Sequence, residues 1–93
     1  MIETLKNDYL TIQINSLGAE LQTIIDQDQI HRLHDGNPQF WGRRSPILFP
    51  IISRFVDQKY TYQNKEYHLS THGFARNKEF VEYRKTSNSI TYL

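Results

Sequence analysis

The stretch STHGFAR, Ser70 to Arg76, sets an imidazole, a glycine, an aromatic ring and a guanidinium within seven positions. His72 can accept or give a proton near neutral pH, Arg76 can grip oxygens with a planar fork, Gly73 can turn the backbone tightly and Phe74 offers an apolar face. Trp41 and Arg54 add a second ring and a second guanidinium from upstream. Sugars present apolar C–H faces that lie on rings, and hydroxyls that accept from Arg and exchange with His. Trp41, Phe74, Arg54, His72 and Arg76 therefore form a candidate carbohydrate-binding set. Plainer uses stand beside this one: small β domains use aromatic rings mainly as core, and a single arginine most often ends in a surface salt bridge.

Two other chemistries fit less well. HRLH and HLSTH hold all four histidines in pairs. On a strand, however, residues three apart face opposite sides, so His31 and His34 would not converge. His68 and His72 have a helical spacing inside residues that read as strand followed by loop. With no cysteine and no glutamate beside them as in the metalloprotease helix motif, the reading is surface imidazoles and no metal site. Arg43, Arg44, Arg54 and Arg76 among aromatics also suggest a nucleic-acid groove. Against it stand 11 basic and 10 acidic side chains, because backbone phosphates need an excess of cations.

Short strands must position these residues. YLTIQIN alternates Leu10, Ile12 and Ile14 with polar neighbours, the period of a half-buried strand. LGAELQTIID also fits a helical stripe, but the β-branched run Thr23, Ile24, Ile25 favours a strand. DQDQ reads as a turn and Ile30 to Leu33 as a short strand. GNPQFWGRRSPILFP holds all three prolines and reads as an ordered loop, with Phe40, Trp41 and Phe49 expected to pin it to the core. KYTYQNKEYHL is a hairpin signal, and FVEYR and SITYL supply two more strands around KTSNS. The expected fold is an all-β antiparallel sandwich, with residues 1–93 forming a single domain. The last strand stops at Leu93, which reads as a cut chain, although a terminal strand docked in a sheet is permitted.

At 93 residues the chain has room for only a modest core. The absence of cysteine fits a reducing compartment. No run approaches the roughly 20 apolar residues that span a bilayer, and MIETLKNDYL lacks the layout of a signal peptide. The expectation is a soluble cytoplasmic protein without membrane or nucleic-acid partners.

LGAEL, GNPQFWGRRSPILFPIISRF and YTYQNKEYHLSTHGFAR resemble, in order and spacing, the aldose 1-epimerase (galactose mutarotase-like) family, and its LacX-like branch most closely. The match runs from Leu17 to about Phe80, and its most specific pieces are W-G-R-x-x-P-x-L-F-P-I and H-G-F-A-R. The resemblance implies a large antiparallel β sandwich, of which this chain is an N-terminal fragment. It also implies interconversion of the α and β anomers of a hexose or hexose 6-phosphate without metal or organic cofactor. His72 matches the first of the family's two active-site histidines, near the ring oxygen. Arg54 matches an arginine that bonds sugar hydroxyls, and Arg76 one that faces the phosphate in the hexose 6-phosphate branch. Gly73 would turn the backbone beside the sugar and Phe74 would wall the pocket, where a simple turn and a core ring are equally served. Ser53 departs from the family, in which glycine usually precedes the arginine. The second histidine and the glutamate base lie beyond Leu93 in the family pattern, and Glu66 and Glu79 fall outside the catalytic motif. Two alternatives follow: a non-catalytic carbohydrate-binding module, or a degenerate remnant that self-associates through open sheet edges.

Overall fold

The structure is a computed structural model that covers residues 1–93. It is all-β, with antiparallel strand pairing throughout its three sheets. Strands β1 (Ile2–Lys6), β2 (Leu10–Asn15) and β3 (Glu20–Asp26) form a meander. Alternation of Leu10, Ile12 and Ile14 shapes β2 as expected, and Ile12 lies opposite both Leu5 and Ile24. β1 was not foreseen. Its apolar residues Ile2 and Leu5 are three apart and show no period of two, yet it pairs with β2 along its whole length and buries Leu5. Asn7 makes the β1–β2 turn, its side-chain oxygen accepting the N–H groups of Tyr9 and Leu10, each at 2.8 Å.

The LGAELQTIID stretch is a strand rather than a helix, but only from Glu20. Gly18 and Ala19 take left-handed φ of 73° and 47° and turn the chain first. A bulge leaves Gln22 unmatched, since Gln13 faces Thr23 and Ile14 faces Leu21. DQDQ is a turn: the Asp26 carboxylate accepts from the N–H groups of Asp28 and Ile30 and pairs with Arg32 at 2.7 Å. Ile30 to Leu33 is not a strand. Only His31 bridges back, to Ile25, and Asx turns at Asp35 and Asn37 then lead the chain away from the sheet.

The proline-rich segment is an ordered loop, but Phe40, Trp41 and Phe49 do not pin it to a core. They are 78%, 50% and 57% exposed. Polar side chains hold it instead. Arg44 donates to the Gln22 carbonyl (2.8 Å) and Ser45 to the Leu21 carbonyl (2.7 Å), covering the free edge of β3.

β4 (Lys59–Tyr62) and β5 (Lys65–His68) form the expected hairpin. Its two-residue turn, Gln63 and Asn64, has positive φ at both positions, the twist that suits a tight hairpin. Tyr60 and Tyr67 are cross-strand partners with rings stacked at 5.2 Å. β6 (Glu82–Lys85) and β7 (Ile90–Tyr92) form the last pair. It is stitched to the meander by an ion pair between Lys85 and Glu3, by the Ser16 hydroxyl on Glu79, and by Phe80 N–H donating to the Ser16 carbonyl at 2.9 Å.

The sheets lie side by side in a slab of 54 × 34 × 18 Å with a radius of gyration of 16.4 Å, where a compact chain of this length gives about 12 Å. Its surface is 7106 Å², against about 5,700 Å² for a compact monomer of this mass. Leu5 and Ala75 are the buried apolar side chains. No helix is long and apolar enough to cross a membrane.

Candidate functional site

Residues 49–53 and 71–75 are strapped together by their backbones. Phe49 bridges Gly73 in parallel, the Phe49 carbonyl accepts the N–H groups of both Phe74 (3.0 Å) and Ala75 (3.2 Å), and His72 N–H donates to the Ser53 carbonyl (2.9 Å). Gly73 is needed for this approach. Its φ is 74°, and a Cβ there would collide with the Phe49 carbonyl. Phe74 meets Phe49 edge to face at 6.2 Å and stays 44% exposed, a wall rather than a core ring.

His72 itself has φ of 62°, a left-handed conformation uncommon for a side chain of this size. Its Nδ1 is hydrogen-bonded to the Ile52 carbonyl. A carbonyl only accepts, so Nδ1 carries the hydrogen and Nε2 of the neutral ring keeps its lone pair. The half-buried imidazole is thus oriented by one nitrogen, leaving the other for a ligand.

Arg76 donates through Nη2 to the Thr71 carbonyl at 2.9 Å, while its Nε is buried without a partner. Arg43 braces the same turn, reaching the Arg76 carbonyl at 3.3 Å and the Asn77 side-chain oxygen at 2.9 Å. Arg43, Arg44 and Arg76 therefore serve backbone carbonyls instead of the surface salt bridges expected of lone arginines, because the guanidinium fork fits oxygens presented by turns and sheet edges. Arg54 follows Ser53 directly, and its exposed guanidinium makes no bond to the protein.

Arg54, His72, Gly73, Phe74 and Arg76 consequently share one backbone frame. Trp41 does not join it: its ring stacks on His34 at 5.9 Å, and its carbonyl accepts from His34 Nε2 at 2.7 Å. Two hollows flank the frame. One, of about 460 Å³, is lined by Arg54, Phe55, Val56, Asp57 and Gln58. The other, of about 280 Å³, includes Arg43, Arg76, Asn77, Glu20 and Gln22. No three His, Asp or Glu side chains converge as metal ligands. Sequence reasoning passed over Asp57, as well as the carbonyls of Phe49 and Ile52. A backbone oxygen leaves no mark in residue type, and the left-handed φ of Asp57 shows only in the structure.

Antiparallel strands joined by loops that carry an oriented histidine, a free guanidinium and an exposed ring define an all-β protein with its polar groups on loops. The aldose 1-epimerase family matches residues 1–93, and the chain belongs to that family. Among curated relatives, the plasmid-borne and chromosomal LacX proteins of Lactococcus lactis are 37% and 36% identical to it, each match covering 95% of this chain and 31% of the relative. Among solved structures, a galactose mutarotase related enzyme from Lactobacillus acidophilus superposes with a TM-score of 0.96 at 40% identity. That match covers 99% of this chain and 31% of the other. A galactose mutarotase-like protein from Lactobacillus casei gives 0.96 at 33% identity, covering 99% and 32%. The fold is thus galactose mutarotase-like, and the chain spans about a third of the length of these relatives.

Proposed function

We propose that residues 1–93 are the N-terminal portion of a single mutarotase-like sandwich domain, and that they carry part of the site at which an aldose 1-epimerase-like protein interconverts the α and β anomers of a hexose. In that reaction a base removes the anomeric hydroxyl proton as an acid protonates the ring oxygen. The ring C–O bond breaks, the aldehyde rotates about C1–C2, and the ring closes on the other face. The observation that carries the reading is the Nδ1 bond of His72 to the Ile52 carbonyl, which leaves the Nε2 lone pair to accept from a sugar hydroxyl beside the ring oxygen. Arg54 donates to hydroxyls, Phe74 lies along the C–H face, and Arg76 serves an oxyanion where the sugar is phosphorylated. No cofactor enters, and the absence of cysteine suits work in the cytoplasm.

Glu66 and Glu79, which fall outside the matched catalytic motif, are each engaged elsewhere. Glu66 pairs with Lys59 (3.3 Å) and His68 (3.4 Å), and Glu79 accepts from Ser16. Those engagements favour, as second reading, sugar binding without turnover by the 93-residue chain. Polarimetry of α-D-glucose, beside an NMR titration, tests the assignment of the site on which both readings rest. The chain alone is expected to leave mutarotation at the buffer rate while showing saturable NMR shifts at His72. Acceleration that persists in His72→Ala would overturn the assignment of the site.

A further inference from the structure

The hollow of about 460 Å³ beside the frame lies within the size range of small-molecule clefts. Five consecutive residues line it, and they offer a mixed chemistry. Phe55, held against Tyr60 at 5.3 Å, and Val56, 86% exposed, are apolar, while Arg54, Asp57 and Gln58 bring a donor fork, a carboxylate and an amide. The Arg54 and Asp57 side chains do not pair with each other, and neither they nor Gln58 spend a side-chain bond on the protein. Asp57 and Gln58 hold φ of 54° and 55°, both left-handed. They form a tight turn closed by Lys59 N–H on the Val56 carbonyl, with Gln58 N–H on the Phe55 carbonyl at 3.0 Å just before it. Glycine would hold that turn with less strain, but it would bring no carboxylate to the hollow.

We infer that this hollow takes the neutral, unphosphorylated part of a sugar, with Asp57 accepting from one hydroxyl and Arg54 donating to its neighbour. The inference rests on the proposed sugar site and deepens it. A donor and an acceptor that line one hollow and stay unpaired suit a vicinal diol, in which each hydroxyl both gives and takes a hydrogen bond. A phosphate would meet Arg54 favourably but Asp57 with like charge, so any phosphate of the substrate is directed away from this hollow. Asp57 here sets specificity and takes no part in proton transfer.

The test is an amide NMR titration of the 93-residue chain with D-glucose and, separately, glucose 6-phosphate, for wild type, Asp57→Asn and Asp57→Gly. Both variants tolerate left-handed φ, so the turn survives in at least one of them, and the Tyr60 and Tyr67 amide shifts report whether the hairpin is intact. Saturable D-glucose shifts at Arg54 to Gln58, weakened about tenfold or more in each folded variant, are the expected result. Variants that bind D-glucose as the wild type does would overturn the role of Asp57 and leave the epimerase-like reading standing. Tighter engagement of residues 54–58 by glucose 6-phosphate than by D-glucose would overturn the preference for a neutral ligand. Absence of any sugar binding by the wild type would remove both readings together.

Discussion

The meander of β1 to β3 and the site frame of residues 49–58 and 70–77 hold their shape by different means. In the meander a continuous ladder fixes the backbone, Leu5 is buried opposite Ile12, and the outer edge is covered by Arg44 and Ser45. In the frame, by contrast, Phe49 and Gly73 make an isolated bridge. Shape there comes from shared carbonyls, from the imidazole of His72 on Ile52, and from left-handed φ at Asp57, Gln58, His72 and Gly73. Ladders tolerate substitution because each bond is one among many. A frame of single contacts does not, and in return it sets functional side chains where a regular strand could not.

Gly73→Ala breaks this comparison most sharply. Left-handed φ and the collision with the Phe49 carbonyl together cost about 3 kcal/mol or more. Hydrogen exchange should then show residues 49–53 and 71–75 unprotected while the β2–β3 amides keep their protection. Equal loss in both regions would mean that they fold as one unit.

Arg44→Ala attacks the other side. Removing a charged donor from the Gln22 carbonyl is expected to destabilise the meander by about 1.5 kcal/mol and to speed exchange along the outer edge of β3. The Phe74 and His72 resonances should not move.

The pH response separates two regions outside the site frame, the β3 turn and the β6–β7 hairpin. Backbone N–H donation from Ile30, with Arg32 and Asp28 assisting, holds the Asp26 carboxyl below its ordinary value. That contribution is present above about pH 4 and is lost as pH falls through the lowered value. The Glu3 carboxylate holds the Lys85 ammonium above its ordinary value, and burial pushes the Tyr92 phenol up. Both favour the protonated forms in the fold, so the attachment of β6–β7 to β1 persists through neutral pH and weakens above about pH 10. Amide shifts followed across pH should show the β3 turn yielding first in acid and the β6–β7 hairpin first in alkali.

The smallest effect belongs to the β4–β5 turn. Placing Asn-Gly at Gln63 and Asn64 suits the two positive φ values and should stabilise the hairpin by about 0.5–1 kcal/mol, read as a rise in its local melting temperature.

Legibility in the sequence follows the same division. β2, β3 and the two later strand pairs were readable because alternation and turn residues are local signals, whereas Ile30 to Leu33 looked like a strand and makes only the His31 bridge. β1 was not readable, since its place depends on the register of its partner rather than on its own pattern. Phe40 and Trp41 misled for a related reason: an aromatic residue announces apolar area but not whether a core lies beneath it. His72, Gly73, Phe74 and Arg76 stood out as a motif, whereas the carbonyls that orient them belong to Phe49, Ile52, Ser53 and Thr71, where any residue type supplies the same oxygen. Periodicity thus gives the scaffold and motif gives the functional types, while the contacts that aim them emerge only in three dimensions.

The most direct test is the ¹⁵N spectrum of the His72 imidazole, recorded at a pH where the ring is neutral, with and without D-glucose. An oriented ring predicts a protonated Nδ1 and an unprotonated Nε2, with the Nε2 resonance shifting saturably as sugar is added. The opposite tautomer, or an Nε2 resonance indifferent to sugar, would contradict a site built around that nitrogen.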